Sequence, residues 1–173
     1  MLNIYINTWR NYNENGADGG EWITLPMNED DLQEKLDQVA ETMNDNDPEW
    51  FVNDYEWTIE IEPFDVNEND NYFDLNEQLN ELDGLDEWEQ EEIAAAVEAF
   101  GYSFMEALDK QTRGYFSLYR GMDLIDVAYE LVEECYFTKD TPDIFTRYFD
   151  YEAFARDLGF DGYCETSYGV IVE

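Results

Sequence analysis

Three observations predict an α+β fold. Strand-like runs occur near both ends of the chain, the first with strict alternation of apolar and polar residues, stretches with helically spaced apolar residues lie between them, and aromatic side chains are plentiful. The alternation Leu2-Asn3-Ile4-Tyr5-Ile6-Asn7 predicts a half-buried strand. A loop carrying Asn13-Glu14-Asn15-Gly16 and Gly19-Gly20 is expected next, then a second strand from Trp22 to Leu25. Asn28 is placed to cap a helix whose first turn holds Glu29, Asp30 and Asp31, where carboxylates favour the helix dipole. The apolar stripe of that helix is Leu32, Leu36, Val39, Ala40 and Met43, so Glu34, Asp37 and Glu41 fall on the wet face. A third strand is expected over Tyr55–Ile61, ending at Pro63.

The middle of the chain reads as helical. Leu75, Leu79 and Leu82 share one face until Gly84 interrupts, and Asp86 can cap a second helix with Trp88, Ile93, Val97 and Phe100 inside, stopped by Gly101. Its other side carries Glu87, Glu89, Glu91, Glu92 and Glu98, and a short helix from Ser103 to Lys110 follows. The last third mixes both kinds of element. Gly114–Gly121 reads as a short strand or turn, and Asp123 starts a helix with Leu124, Val127, Ala128, Leu131, Val132 and Cys135 inside. Asp126, Glu130, Glu133 and Glu134 then face solvent or a partner. Helical pieces are expected from Pro142 to Tyr148 and from Asp150 to Gly159, the latter with a Glu152–Arg156 ion pair, before a hairpin around Ser167–Gly169. The resulting division is an α+β segment over 1–65, a helical segment over 66–112 and an α+β segment over 113–173.

Charge decides which functions remain. The chain has 44 Asp and Glu against eight Lys and Arg and no His, a formal −36 on 173 residues. Such acidity ordinarily marks disorder. A 44% hydrophobic fraction that includes five Trp, 13 Tyr and 11 Phe instead allows a packed interior. The three segments carry −15, −13 and −8, so the charge belongs to the folded body and is no appended tail. A compact chain of this mass exposes roughly 8,900 Å², about one net charge per 250 Å². Duplex DNA carries one charge per ~1.7 Å of axis, so the chain's charge equals that of roughly 18 base pairs. A basic partner is expected; nucleic acid and anionic membrane, which such a surface repels, are not.

Residue inventory removes most chemistry. Without His there is no Ser-His-Asp or Cys-His arrangement and no common zinc ligand, and glycine spacing fits neither a P-loop nor a dinucleotide fingerprint. Asn11-x-Asn13-x-Asn15-Gly16 copies the opening of a calcium loop, but Trp22 stands where the bidentate Glu is needed. Asp65-x-Asn67-x-Asn69 has Asp70 in place of the turn glycine. With so many carboxylates, a hydrolase-like pair would arise by chance and carries no information. No enzyme, catalytic residue, metal or cofactor is expected. Cys135 and Cys164 are read as reduced thiols, and with no signal peptide or apolar span in view the expected location is cytoplasmic.

The last third also carries a family resemblance. Asp126-Val127-Ala128, Glu133-Glu134, Pro142 and the run Tyr148-Phe149-Asp150-Tyr151-Glu152-Ala153-Phe154-Ala155-Arg156-Asp157-Leu158 resemble the ArdA antirestriction family. Ile4-Tyr5-Ile6-Asn7 and Gly20-Glu21-Trp22-Ile23-Thr24-Leu25-Pro26 agree with it, and the match is densest over about 123–162. One departure stands before Asp126, where Leu124-Ile125 replaces an expected aromatic. The resemblance implies an elongated, curved rod of three small domains, a homodimer joined near the C-terminal domains, and carboxylates arranged like the phosphates of bent B-form DNA. It further implies type I restriction–modification enzymes as partners, engaged through the methyltransferase and specificity subunits, with modification blocked as well as restriction. Such proteins act when a plasmid, conjugative transposon or phage enters a cell.

On that reading the phosphate-like acids are Glu29, Asp30, Glu34, Asp37, Glu41, Glu77, Glu81, Glu87, Glu89, Glu91, Glu92, Glu98, Asp126, Glu130, Glu133 and Glu134. A dimer of such subunits needs an apolar patch, for which Tyr115, Phe116, Tyr119, Phe137, Phe145, Tyr148 and Phe149 are candidates in the least charged third. Two other functions remain open. One is a DNA mimic aimed at a nucleoid protein, a nuclease or a CRISPR effector; the other is a structural protein adapted to high salt.

Overall fold

The computed structural model describes residues 1–173 and is mixed α+β, with two small antiparallel sheets. The chain divides into two compact units, Met1–Gln90 and Glu91–Glu173. In the first, strand β1 (Leu2–Thr8) is the centre of a three-stranded sheet, flanked by β2 (Glu21–Leu25) and β3 (Trp50–Trp57). Period-two alternation places Leu2, Ile4, Ile6, Ile23 and Leu25 on the buried face. Helix α2 (Glu29–Thr42) contributes Leu32, Leu36 and Val39 to this core, and α3 (Tyr72–Asp83) contributes Leu75, Leu79 and Leu82. Asn28 caps α2 through its side chain and Asn71 caps α3 in the same way, as the helix-start chemistry requires.

Two expectations for this unit are corrected. The segment read as a loop over Asn13–Gly16 is largely helix α1 (Trp9–Asn15). Asparagine is a poor helix former, but here the side chains support the turn: Thr8 Oγ1 accepts from Asn11 N, Asn11 Nδ2 donates to Asn7 Oδ1, and Asn15 Nδ2 donates to Asn11 Oδ1. Gly16 at φ +77° then ends the helix. The third strand is Trp50–Trp57, several residues earlier than the expected Tyr55–Ile61. Phe51 and Val52, both buried, pair with Asn7 and Ile6, and a bulge between Tyr5 and Ile6 accommodates the extra residue. Ile61 is buried but lies outside the sheet.

Helix α4 (Glu87–Phe100) crosses the division between the units. In the second unit, α5 (Phe104–Thr112) starts at the Ser103 cap, and β4 (Ser117–Arg120) pairs with β6 (Gly169–Val172), which also pairs with β5 (Cys164–Thr166). Helix α6 (Leu124–Leu131) begins in a capping box formed by Asp123 and Asp126. Short helix α7 (Asp143–Arg147) and α8 (Tyr151–Phe160) follow. Val127, Ala128, Ala155, Leu158 and Val170 form the core here, with Tyr119, Leu124, Leu131 and Phe154 packed around it.

Three sequence expectations fail in the helices, each for a local reason. Cys135 is exposed because α6 runs into a π-helical turn over Val132–Tyr136, closed by Phe137 N donating to Val132 O. The wider turn moves Cys135 off the stripe that Val132 continues. Trp88, expected inside α4, is exposed in its first turn. Arg156 lies 3.7 Å from Asp157 and does not reach Glu152.

Candidate functional site

Helix α2 is the most regular acidic element. Asp30, Glu34, Asp37 and Glu41 follow one another at spacings of four, three and four residues, which at 100° per residue confines them to one stripe of the helix. All four are exposed, as are Glu29 and Asp31. Gln33 and Gln38 steady two of these carboxylates, donating to Asp37 Oδ1 and Glu34 Oε1. The helix contains one cation, Lys35, and its ammonium is paired with Glu21 at the end of β2. The acidic stripe is thereby left unneutralised by its own helix.

The 14 residues of α2 span about 21 Å at 1.5 Å each, so its six acids fall one per ~3.5 Å of axis, beside ~3.4 Å per phosphate along one DNA strand. The chain as a whole exposes 10,527 Å², about one net charge per 290 Å². Evenly spread charge would therefore fall well short of duplex density, whereas the acids of α2 match the axial spacing of one strand, about half the density of the duplex.

The other candidate acids divide by what they touch. Glu77 and Glu81 on α3, Glu87 on α4, and Glu133 and Glu134 on the π turn are exposed. Glu89 and Glu130 are half-buried, and Glu89 caps its own helix by accepting from Asp86 N. Asp126 is occupied in the capping box of α6. Glu98 accepts from Ser167 N and Oγ, holding the β5–β6 hairpin turn. Glu91 is paired with Arg120 of β4.

Glu92 is corrected outright. It is 8% exposed, because Glu92–Ala96 are all buried and that turn of α4 is enclosed on every side. The alternation of wet and dry faces assumed for α4 does not hold over Glu92–Ala96, five consecutive buried residues that cover more than a full helical turn.

The aromatic candidates also separate. Phe116 is 7% exposed and stacked on Phe100, so it is core. Tyr119, Phe137 and Phe149 are half-buried, with Phe149 edge-on to Phe137, Tyr151 and Phe154. Burial pushes the phenol pKa of Tyr119 upward, helped by neighbouring Tyr163. Tyr115, Phe145 and Tyr148 are exposed. Sequence reasoning missed Tyr136, Ile144 and Phe160, the last 81% exposed. Their apolar character in the least charged third was the available signal.

A cluster in the second unit joins Tyr102, Lys110 and Glu173. Lys110 Nζ pairs with Glu173 Oε1 and sits 4.7 Å from the Tyr102 ring centroid, while the Tyr102 hydroxyl donates to Glu173 Oε2 at 2.6 Å. Hydrogen bonds from Lys110 and Tyr102 lower the Glu173 carboxyl pKa, and the bond to Glu173 raises those of Lys110 and Tyr102. This is a structural clamp between α5 and the end of β6.

Ordered carboxylate arrays on helices are the equipment of a protein that binds by charge. The family model described as Antirestriction protein (ArdA) matches residues 4–172, nearly the whole chain. The chain belongs to the ArdA antirestriction family, and antirestriction is its class of function. No curated protein matches it. No helix is long and apolar enough to cross a membrane.

Proposed function

We propose that this protein is a DNA decoy, which occupies the DNA-binding groove of type I restriction–modification enzymes and blocks restriction together with modification. The acids of α2 carry the reading, since the helix sets six carboxylates at about the axial spacing of phosphates along one DNA strand. Four of them form the stripe Asp30, Glu34, Asp37 and Glu41, and the helix's only cation is drawn away to Glu21. A groove built from Lys and Arg releases bound anions when it takes DNA, and an array of fixed carboxylates exchanges with those anions in the same way. Binding of this kind is distributed, because a single exposed ion pair contributes only about 0–1 kcal/mol. The protein has no bond to make or break in this scheme and acts as an inhibitor.

The homodimer and the three-domain division at about 65 and 112 belong to the same proposal. Exposed Tyr115, Phe145 and Tyr148, with Ile144 and Phe160, supply apolar surface in the segment of lowest net charge, where two copies repel least.

The test is competition between this protein and DNA for a purified type I methyltransferase core across a salt series. Inhibition should be competitive and weaken steeply as salt rises. Salt-independent inhibition would refute the decoy mechanism. Absence of inhibition would redirect the search to another DNA-binding protein.

A further inference from the structure

The sheet of the first unit has a second face, which the decoy reading leaves unused. Period-two alternation turns Asn3 and Tyr5 of β1 away from the core, and their cross-strand partners turn with them. One row runs Trp22–Tyr5–Asp54 and the next Thr24–Asn3–Glu56. Trp22 is 47% exposed, Thr24, Asp54 and Glu56 are exposed, and none of the six residues is a cation. Lys35 pairs with Glu21, which alternates to the opposite face from Trp22.

The aromatic half of this face is held in place. The Tyr5 and Trp22 rings lie 5.1 Å apart, tilted at 46°. The Tyr5 ring also meets the backbone of Gly20 so closely that a Cβ there would sit 2.8 Å from Cε1 and 2.5 Å from Ile6 O. Glycine at position 20 therefore lets the main chain serve as a wall for the ring. Asp54 stands directly across the strand pair from Tyr5, where neighbouring Cβ atoms are about 5 Å apart.

We propose that this face docks arginine side chains of the basic partner. A guanidinium lying on Tyr5 and Trp22 turns its edge, with its fork of N–H donors, toward Asp54, and Glu56 offers a second carboxylate one row along. A planar, weakly hydrated cation can satisfy both the ring and the carboxylate, whereas the compact, strongly hydrated ammonium of lysine stacks poorly. Charge complementarity selects the occupant, because the face joins two carboxylates to two rings without a cation among them. The proposal rests on the partner being a basic groove, and adds to the electrostatic decoy a contact that discriminates between the two basic side chains.

The probes are deca-arginine and deca-lysine peptides of equal charge, titrated against the full chain and against Trp22→Thr, a substitution suited to a strand. Wild type should prefer deca-arginine by about two- to five-fold, the size of one exposed cation–π contact. Trp22→Thr should bring the ratio close to one while far-UV circular dichroism and melting stay unchanged. Asp54→Asn with Glu56→Gln should lower the ratio as well. The triple variant Glu34→Gln, Asp37→Asn, Glu41→Gln should weaken both peptides and preserve the ratio. A ratio of one in wild type, or a ratio unmoved by Trp22→Thr, overturns the proposal. If Trp22→Thr unfolds, Trp22→Leu gives the same reading. The methyltransferase competition tests the decoy separately: it can fail while the peptide preference stands, and the reverse.

Discussion

Removing Glu34, Asp37 and Glu41 as charges, by Glu34→Gln, Asp37→Asn and Glu41→Gln together, should make the protein more stable and less inhibitory at once. The stripe contains three like-charge pairs at helical contact spacing, Asp30–Glu34, Glu34–Asp37 and Asp37–Glu41, and the triple change abolishes all of them. Each such pair costs about 0.2–0.5 kcal/mol, so the relief is roughly 1 kcal/mol in total. Glu41 also lies in the last turn, where a negative charge opposes the helix dipole, which adds in the same direction. The amide replacements keep acceptors for Gln33 and Gln38, so the hydrogen bonds along the stripe persist. For a unit of this size ~1 kcal/mol raises the melting temperature by roughly 4–8 °C. At 1 M salt the Debye length is only about 3 Å and the gain should largely vanish. Inhibition should move the opposite way, with affinity falling and its dependence on salt becoming shallower. Calorimetry at low and high salt, paired with the competition assay, reads both effects. Destabilisation at low salt, or unchanged inhibition, would refute the idea that these charges serve a partner at the expense of the fold.

Asn76→Ala should destabilise the first unit by about 2–4 kcal/mol, because Asn76 Oδ1 and Nδ2 satisfy both Met27 N and Met27 O at a buried position; urea titration measures it. Gly169→Ala should cost roughly 3 kcal/mol or more, since φ is +135° and an added Cβ would lie 2.2 Å from Tyr119 O; hydrogen exchange should show β4 amides losing protection. The Glu173 clamp gives a pH signature. Its carboxyl pKa is lowered in the folded state, so its stabilisation is present above the unfolded carboxylate pKa and is lost as pH falls through the folded value. Lys110 is raised, so its share holds below the unfolded lysine pKa and is lost as pH rises through the folded one. In Glu173→Gln, NMR titration of Tyr102 should move back toward the ordinary phenol range; an unmoved Tyr102 would contradict the assigned cause.

The parts of this fold that were legible in the sequence are those set by local chemistry. Asn28, Ser103 and Asp123 cap helices because a short polar side chain precedes an apolar-periodic run, β1 announces itself by alternation, and the closing hairpin by the turn residues Ser167–Gly169 between short strand-like runs. The misses arise where distant residues decide. Helix α1 depends on a ladder of asparagines that propensity alone counts against it. The register of β3 depends on pairing with β1 and on a bulge, neither visible in its own alternation. Among the candidate acids, the periodic stripe of α2 could be read directly, since one amphipathic helix defines its own wet face. Glu92 could not, because it lies in a turn of α4 buried on every side, which the helix's own periodicity does not announce. Glu91 and Glu98 look like free surface acids until Arg120 and Ser167 arrive from far along the chain.

The few cations have a further consequence. Arg10, Lys35, Lys110, Arg113, Arg120 and Arg156 each lie beside a carboxylate of the same unit. A decoy with loose cations could bridge to DNA itself and deliver the enzyme to its own substrate. With six of its eight positive charges beside carboxylates, such a chain would have little with which to hold a phosphate backbone. On the proposed decoy reading, the same internal pairing would limit cross-linking between copies through opposite charges and leave the free acids available to a target.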